Sequence, residues 1–443
     1  MKLNKNNSGQ ILWKKAKQII IGGNGLLSKR PERYAPDLWP VYFKKAKGCY
    51  LWDLDDNKFL DMAQNGIGSA ILGYSNSLIN KAVIDSVKNG INTTLNPPEE
   101  VYLAEMLLKL NPSMQKVKFA KGGGEAMSIA VRIARAHSKK DKILFSGYHG
   151  WSDWYLAANV SSNDNLDEHL IPGLNPIGVP KALRNSAVPF LYNDINDFKR
   201  KLSEHKDISA IVIEGARYDE PNIDFLKCVE YEAKRKKIIL IVDEITSGFR
   251  LCNSGTYIKY KYDPDIVVYG KALGNGFPIS AIVGKEEFMK SGELTFMSST
   301  MWTERVGFVA ALETLKVLIE KKIYKQLITN GKYIAKIWSS MASKYNLKIK
   351  ISNFYPLVTF KLDYAELNES LNTLFIQEML KRNILASNSV YLTASHSSNE
   401  LDIYSKACDQ VFSIIRKSLD SDIKKYLYTT PRYDSFKRLN EIG

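Results

Sequence analysis

Two apolar runs, Ile238-Ile239-Leu240-Ile241-Val242 and Ile266-Val267-Val268-Tyr269, each deliver one ionisable residue at their end. Asp243 follows the first directly, and Lys271 follows the second after Gly270. Short uninterrupted apolar runs of this kind are what strands buried on both faces require, and such strands belong to parallel sheets covered by helices. In open parallel sheets, ligands lie beyond the carboxyl ends of the strands. An acid and an amine delivered to that edge can hold one small ligand between them.

The same alternation extends on both sides of this pair. Val117-Lys118-Phe119 leads into a predicted helix over 124–137, and Ile143-Leu144-Phe145 reads as the next strand. A strand over 209–213 follows, then a helix over 225–236, then the strand ending at Asp243. This order predicts a mostly parallel sheet with helices on its faces. Residues 159–193 lack periodicity and are predicted to be a long ordered loop, a common place for the wall of a site. Upstream, residues 1–40 read as polar, then irregular, and 41–61 read as a small antiparallel meander. Residues 66–74 form a glycine-dense loop, a helix begins near Ser77, and a second runs over 99–110. After Glu304 a long helical stretch leads to strands at 347–351 and 357–361 and helices near 371–382 and 401–419. The expected organisation is an N-terminal segment, 1–65, contributing to a small domain, a large domain over 66–310, a C-terminal small α+β domain over 311–427, and a tail over 428–443.

Composition narrows the function classes. A length of 443 residues with 45% hydrophobic content supports more than one ordinary domain. Cys49, Cys228, Cys252 and Cys408 are widely separated and form no paired motif, which reads as reduced thiols in a cytoplasmic protein without a metal site. No apolar run approaches the roughly 20 residues of a membrane helix, and no apolar leader follows the basic start. The formal charge of +15 reads as a lysine-rich surface. The basic residues are scattered, no nucleic-acid motif accompanies them, and neither nucleic acid nor membrane is expected as a partner.

The chemistry that needs a lysine and an aspartate so placed is that of pyridoxal phosphate: the lysine bonds the aldehyde as a Schiff base, and the aspartate keeps the pyridine nitrogen protonated. Asp243-Glu244-Ile245-Thr246-Ser247-Gly248-Phe249-Arg250, followed by Gly270-Lys271-Ala272-Leu273-Gly274-Asn275-Gly276-Phe277-Pro278, resembles the class III aminotransferase family. Within that family it is most similar to the glutamate-1-semialdehyde aminomutase branch, and the resemblance runs from about Gly48 to about Cys408. It implies the pyridoxal-phosphate-dependent transferase fold of type I, with a mostly parallel, seven-stranded-type sheet in the large domain, a smaller α+β domain, and a homodimer. Lys271 and Asp243 become the expected catalytic pair, and both also bind the cofactor. Glu244 is read as orienting neighbouring groups.

Further cofactor contacts follow from the same resemblance. Lys121-Gly122-Gly123-Gly124-Glu125-Ala126 is a glycine turn at a predicted helix start, where free N–H groups and the positive end of the helix dipole suit a phosphate. Gly123 and Gly124 match the family's phosphate position, although the family carries Ser or Thr where this chain has Gly124. Tyr148 is expected to stack on the pyridine face, with His149 in a structural role and Glu214 near the cofactor. Thr300, or else Ser299, is expected to reach the phosphate held by a neighbouring subunit. Trp302-Thr303-Glu304-Arg305 departs from the Ser-Gly-Asn-Pro run of true aminomutases, and their N-terminal carboxylate-binding arginine has no clear counterpart; Arg30, Arg33 and Arg217 are candidates. The resemblance implies amino transfer from an amino acid donor to an aldehyde or ketone acceptor, and a looser likeness within the family points to a sugar-like acceptor in surface polysaccharide synthesis. The alternative is glutamate-1-semialdehyde 2,1-aminomutase. A non-catalytic basic binding protein is a third reading, and the intact Lys271 and Asp243 argue against it.

Overall fold

A computed structural model describes residues 3–433 together with Ser435 and Phe436. The chain divides into two compact units, one built from residues up to 76 and from 326 onward, the other from the uninterrupted stretch 77–325.

The first unit begins with a helix, Ser8–Ile19, where the sequence reads only as polar chain. The Asn7 side chain caps it by accepting from the Gln10 N–H. Only Gly9, Gln10, Trp13 and Ala16 are buried along it, so its apolar stripe is too thin to show as a period. The meander is as expected: β1 (Phe43–Lys47), β2 (Tyr50–Asp53) and β3 (Lys58–Met62) pair antiparallel in sequence order. The Asp53 carboxylate closes the β2–β3 turn by accepting the N–H groups of Asp55 and Asn57.

The second unit holds β4 (Lys116–Ala120), β5 (Lys142–Ser146), β6 (Ala187–Pro189), β7 (Ile208–Glu214), β8 (Ile239–Asp243), β9 (Ile266–Tyr269) and β10 (Ser280–Gly284). They form one seven-stranded sheet in the order β4-β10-β9-β8-β7-β5-β6. Only β10 runs against its neighbours β4 and β9, so all the other strands point the same way. The helix Gly123–Ser138 lays Ala126, Ile129, Ala130 and Ile133 on this sheet, against a core that includes Val212, Ile241 and Val268. Every residue of β7, β8 and β9 is buried. Each Ile or Val there contributes roughly 1.5–3 kcal/mol, enough to offset ending two of these strands in buried carboxylates. The stretch 159–193 is not all loop. It contains the end of the short helix Ala158–Ser161 and the edge strand β6. A strand of three residues shows no alternation that a sequence can reveal.

The chain then returns to the first unit. β11 (Ile349–Ile351), β12 (Leu357–Leu362), β13 (Ile384–Ala386) and β14 (Ser389–Tyr391) follow, with helices Asn368–Leu380 and Ser398–Leu419. β12 lies between β11 and β14, while β13 runs parallel to β3 and completes the four-stranded sheet begun by the meander. Trp338, Phe360, Phe375 and Phe412 pack edge-on or tilted in this unit's core at 4.8–6.3 Å between ring centres. Among the described residues, no helix is long and apolar enough to cross a membrane.

Candidate active site

The carboxyl ends of β5, β7, β8 and β9 bring the chemistry-bearing side chains of the second unit to one edge of the sheet. Glu214 closes β7 and Asp243 closes β8, and the two are direct partners in the strand register. Asp243 also stands opposite Val268 of β9, so Lys271, two residues past the end of that strand, leaves the sheet beside it.

Lys271 opens a short 3-10 turn, Lys271–Gly274, with φ of 40°. That is the left-handed region, costly for a residue with a side chain and common where a site fixes a side chain's direction. Its Nζ donates to Thr246 Oγ1 at 2.7 Å. Burial lowers the proton affinity of this amine, Asp243 and Glu214 oppose that shift, and the charges of Arg250 and Arg217 reinforce it. The outcome is a fall from the ordinary lysine value, as a nucleophilic or proton-accepting amine needs.

Asp243 is only 4% exposed. Its Oδ1 accepts the Ile245 N–H at 2.9 Å, and its Oδ2 lies 2.9 Å from His149 Nδ1. The other ring nitrogen of His149 faces the Ser146 carbonyl oxygen at 3.2 Å. That oxygen can only accept, so Nε2 carries a proton. Trp154 stacks near the His149 ring, while Phe145 and Tyr155 meet it edge-on. His149 therefore holds the carboxylate of Asp243 in one orientation. Its structural role is tied to the site, and the contact joins residues 94 positions apart, beyond the reach of any local pattern.

Glu244, next in the chain, points the other way. Its carboxylate accepts from Ser247 Oγ at 2.6 Å and from the N–H and hydroxyl of Thr256. Burial pushes its pKa up to about 7 despite these donors. Glu214 accepts the Tyr148 N–H at 3.2 Å and pairs with Arg217 Nη1 at 2.5 Å. Arg217 also donates to the His169 carbonyl oxygen. Burial alone would lower the proton affinity of this guanidinium, but Glu214 outweighs it and holds the charge firmly. His169 in turn accepts the Gly147 N–H on Nδ1, and burial with the nearby Arg217 pushes its pKa down to about 4, leaving the ring neutral. A Cβ at Gly147, where φ is 115°, would collide with the Glu214 carboxylate, so this turn requires glycine.

Gly123 and Gly124 form the first turn of the helix Gly123–Ser138. The N–H groups of Lys121 and Gly122 are taken by Glu125 Oε2, at 2.9 and 3.2 Å. The next two have no acceptor among the described residues. A Cβ on Gly123 would press on Ile245 at 3.0 Å, whereas one on Gly124 would find only ordinary contacts, at 3.4 Å and beyond. The turn at Gly150 passes closer still, and a Cβ there would lie 2.7 Å from Gly124 Cα. Gly150→Ala, at φ of 104°, is expected to lower the unfolding free energy by roughly 1–3 kcal/mol. Gly124→Ser is expected to stay within about 0.5 kcal/mol of the unaltered protein. Denaturant melts of the two variants test this, and equal costs would mean the backbone contact is not tight.

Tyr148, between Gly147 and His149, is 38% exposed and meets Tyr155 edge-on at 5.9 Å. Its ring stands at the same edge as the lysine and the aspartate. Ser299 and Thr300 do not join this cluster by any bond. Both are exposed, and neither hydroxyl has a partner among the described residues. The run after them is committed elsewhere. Glu304 accepts the Val306 N–H at 2.6 Å and binds Lys121 Nζ at 2.9 Å, and Arg305 forks onto Glu99 at 2.6 and 3.0 Å. The Glu304 carboxylate is therefore spent on capping a helix and neutralising a lysine, and it is not offered to a ligand.

These groups fit pyridoxal phosphate on four counts. They comprise an amine whose proton affinity is lowered by its surroundings, a buried carboxylate fixed by a histidine, a half-exposed aromatic ring, and a glycine turn with unspent N–H groups. The model of the family described as aminotransferase class-III matches residues 33–353. The 3-aminobutyryl-CoA aminotransferase of Cloacimonas acidaminovorans is 30% identical over 92% of this chain and 97% of its own. The glutamate-1-semialdehyde 2,1-aminomutase of Methanocaldococcus jannaschii is 32% identical over 77% of this chain and 80% of its own. Among solved structures, an omega-transaminase from Sphaerobacter thermophilus superposes with a TM-score of 0.82 at 22% identity, covering 93% of this chain and 98% of that one.

Proposed function

The chain belongs to the class III aminotransferase family, and we propose from this that it moves an amino group from an amino acid donor to an aldehyde or ketone acceptor. The observation that carries the reading is the delivery of the Lys271 amine and the Asp243 carboxylate by adjacent strands to one edge of the sheet. Pyridoxal phosphate, the cofactor of this family, supplies an aldehyde for amino groups and a ring that takes up electrons when a proton leaves the substrate carbon.

The chain's own residues divide the remaining work. Lys271 takes the proton from the amino-bearing carbon of the donor and returns one to the acceptor. Thr246, bonded to its Nζ, keeps the amine aimed. Asp243 holds the ring nitrogen protonated, and His149 keeps that carboxylate from turning away. The free N–H groups of Gly123 and Gly124 hold the phosphate, with no side-chain hydroxyl at Gly124 to assist them. Tyr148 covers one face of the ring. Thr300, or else Ser299, serves the site of a second copy, which makes the working unit a homodimer. Diluting the holoenzyme in sedimentation runs is expected to lose activity in step with dimer, and a fully active monomer would remove this assignment.

For the acceptor, a sugar-like carbonyl compound is proposed, and the aminomutase is the competing reading. A mutase must retain a carboxylate-bearing intermediate, whereas this chain has Trp302-Thr303-Glu304-Arg305 where those enzymes carry Ser-Gly-Asn-Pro, with Glu304 and Arg305 engaged in ion pairs. Single-turnover absorbance is the test, with each L-amino acid, 3-aminobutyryl-CoA and glutamate 1-semialdehyde presented alone. A free amino acid is expected to release its keto acid, and glutamate 1-semialdehyde is expected to react poorly. Efficient formation of 5-aminolevulinate, with no half-reaction from any amino donor, would favour the mutase.

A further inference from the structure

The stretch that begins at Asp243 runs on to Arg250, and the mechanism above uses nothing in it beyond Thr246. Arg250 is wholly enclosed, among the largest fully buried side chains of the described residues. Taking a guanidinium out of water is expensive and is sustained only where fixed acceptors meet it. One such acceptor is the Thr246 carbonyl oxygen, which takes the Arg250 Nε–H at 2.8 Å. The hydroxyl of the same Thr246 accepts from the Lys271 amine at 2.7 Å. Thr246 therefore joins the enclosed cation to the reactive amine, by its backbone on one side and its side chain on the other.

The chain between Glu244 and Arg250 is shaped for this link. The Gly248 N–H donates to the Glu244 carbonyl oxygen at 2.8 Å and the Arg250 N–H to that of Ser247 at 3.2 Å, so two successive turns fold Arg250 back toward Thr246. Phe249 is held at φ of 65°, the left-handed region, which a bulky residue enters only where its surroundings fix it. Its ring lies 5.0 Å from that of Tyr269, the last residue of β9. A Cβ on Gly248 would stand 2.9 Å from the same ring. The loop is thus pressed onto the strand that delivers Lys271. Charge acts in the same direction. The end of β7 and the residues after it bring Glu214 and Arg217 to the amine, and β8 brings Asp243, itself bonded to His149, with Thr246 and Arg250 beyond it. Burial lowers the proton affinity of Lys271, the two carboxylates oppose that, and Arg250 reinforces it more than Arg217 does. The charge of Arg217 is matched by Glu214 at 2.5 Å. Arg250 keeps its proton at any working pH.

We propose that Arg250 is a positioning residue for amino transfer, one that touches no substrate and fixes, through the Thr246 carbonyl, the hydroxyl on which the Lys271 amine rests. Its enclosed charge adds a second effect, holding that amine in the unprotonated form that can attack a carbonyl or take a proton. The proposal rests on the aminotransferase reading.

Two measurements test it. In the full chain freed of cofactor, acetic anhydride labels lysines across a pH series, and peptide mass analysis reads the extent at residue 271. In the holoenzyme, the half-reaction with the best L-amino acid is timed at saturation, with bound cofactor measured by absorbance. Arg250→Gln removes the charge, so the amine binds its proton more tightly and the pH of half-labelling is expected to move upward. The half-reaction is expected to slow by about 10- to 100-fold. Arg250→Lys, which keeps the charge and loses the fork, is expected to restore the labelling curve and only part of the rate. An unmoved labelling curve in Arg250→Gln overturns the proposal. So does equal damage from Gln and Lys, because that pattern belongs to a residue that only fills its space. If the arginine variants do not fold, the Thr246 pair decides. Thr246→Ser keeps the hydroxyl and is expected to react about 10-fold faster than Thr246→Val, and equal rates overturn the link. Failure of the unaltered protein to react with any amino acid would instead remove the aminotransferase reading, while the labelling curves would still report on Arg250.

Discussion

Lys271→Ala is expected to reduce turnover by more than about 10⁴-fold, because it removes at once the nucleophilic amine and the base that moves the substrate proton. The structure offers no substitute at that place. Asp243, Glu214 and Thr246 surround the amine with acceptors, and the arginines that touch its electrostatics cannot give up a proton near neutral pH. The fold should survive the change, since among the described residues the one side-chain hydrogen bond lost is that to Thr246. Borohydride reduction of the unaltered holoenzyme followed by peptide mass analysis is the direct measurement. The cofactor should be fixed to residue 271, and the alanine variant should carry none. A reducible attachment persisting in that variant would move the reactive amine to another lysine.

Asp243→Asn should be the next most damaging change, slowing the half-reaction by about 10³-fold. The amide keeps the size of the side chain and can still accept the Ile245 N–H on its oxygen. It cannot supply the negative charge that holds a ring nitrogen protonated, and it puts an uncharged group against His149. Cofactor should remain bound, because the glycine turn and Tyr148 are untouched, so the loss belongs to the rate and not to occupancy. Stopped-flow absorbance with a saturating donor separates the two. A near-normal rate with full occupancy would take Asp243 out of the chemistry.

What the sequence could disclose, it disclosed through periodicity and punctuation. The runs Ile239–Asp243 and Ile266–Tyr269 announce strands buried on both faces because nothing polar interrupts them. The helix Glu99–Leu110 shows both its acidic start and its stop at Asn111-Pro112. The helix Ser8–Ile19 escaped because four inward residues, one of them Gln10, make no readable stripe. The reversal of β10 is equally hidden, since Ser280–Gly284 reads as apolar in either direction. At the site, Lys271, Asp243 and the glycine turn carry motifs, while the partners that tune them do not. His149 meets Asp243, and Arg217 meets the carbonyl of His169, only after the strands are aligned. The tie between Lys121 and Glu304 is hidden in the same way, because it joins residues 183 positions apart.

The pairing of β13 with β3 has a consequence for how the protein is made. Ile384 lies against Leu60 and Ala386 against Met62, so the sheet of the first unit cannot close until the ribosome has passed residue 386. At translation rates of about 5–20 residues per second, the meander waits roughly 15 to 65 s for its last strand. The unit spanning 77–325 is contiguous and can settle during that interval. Its completed sheet would then be present while β1–β3 still display an unpaired edge, which makes the nascent meander the segment most in need of a chaperone.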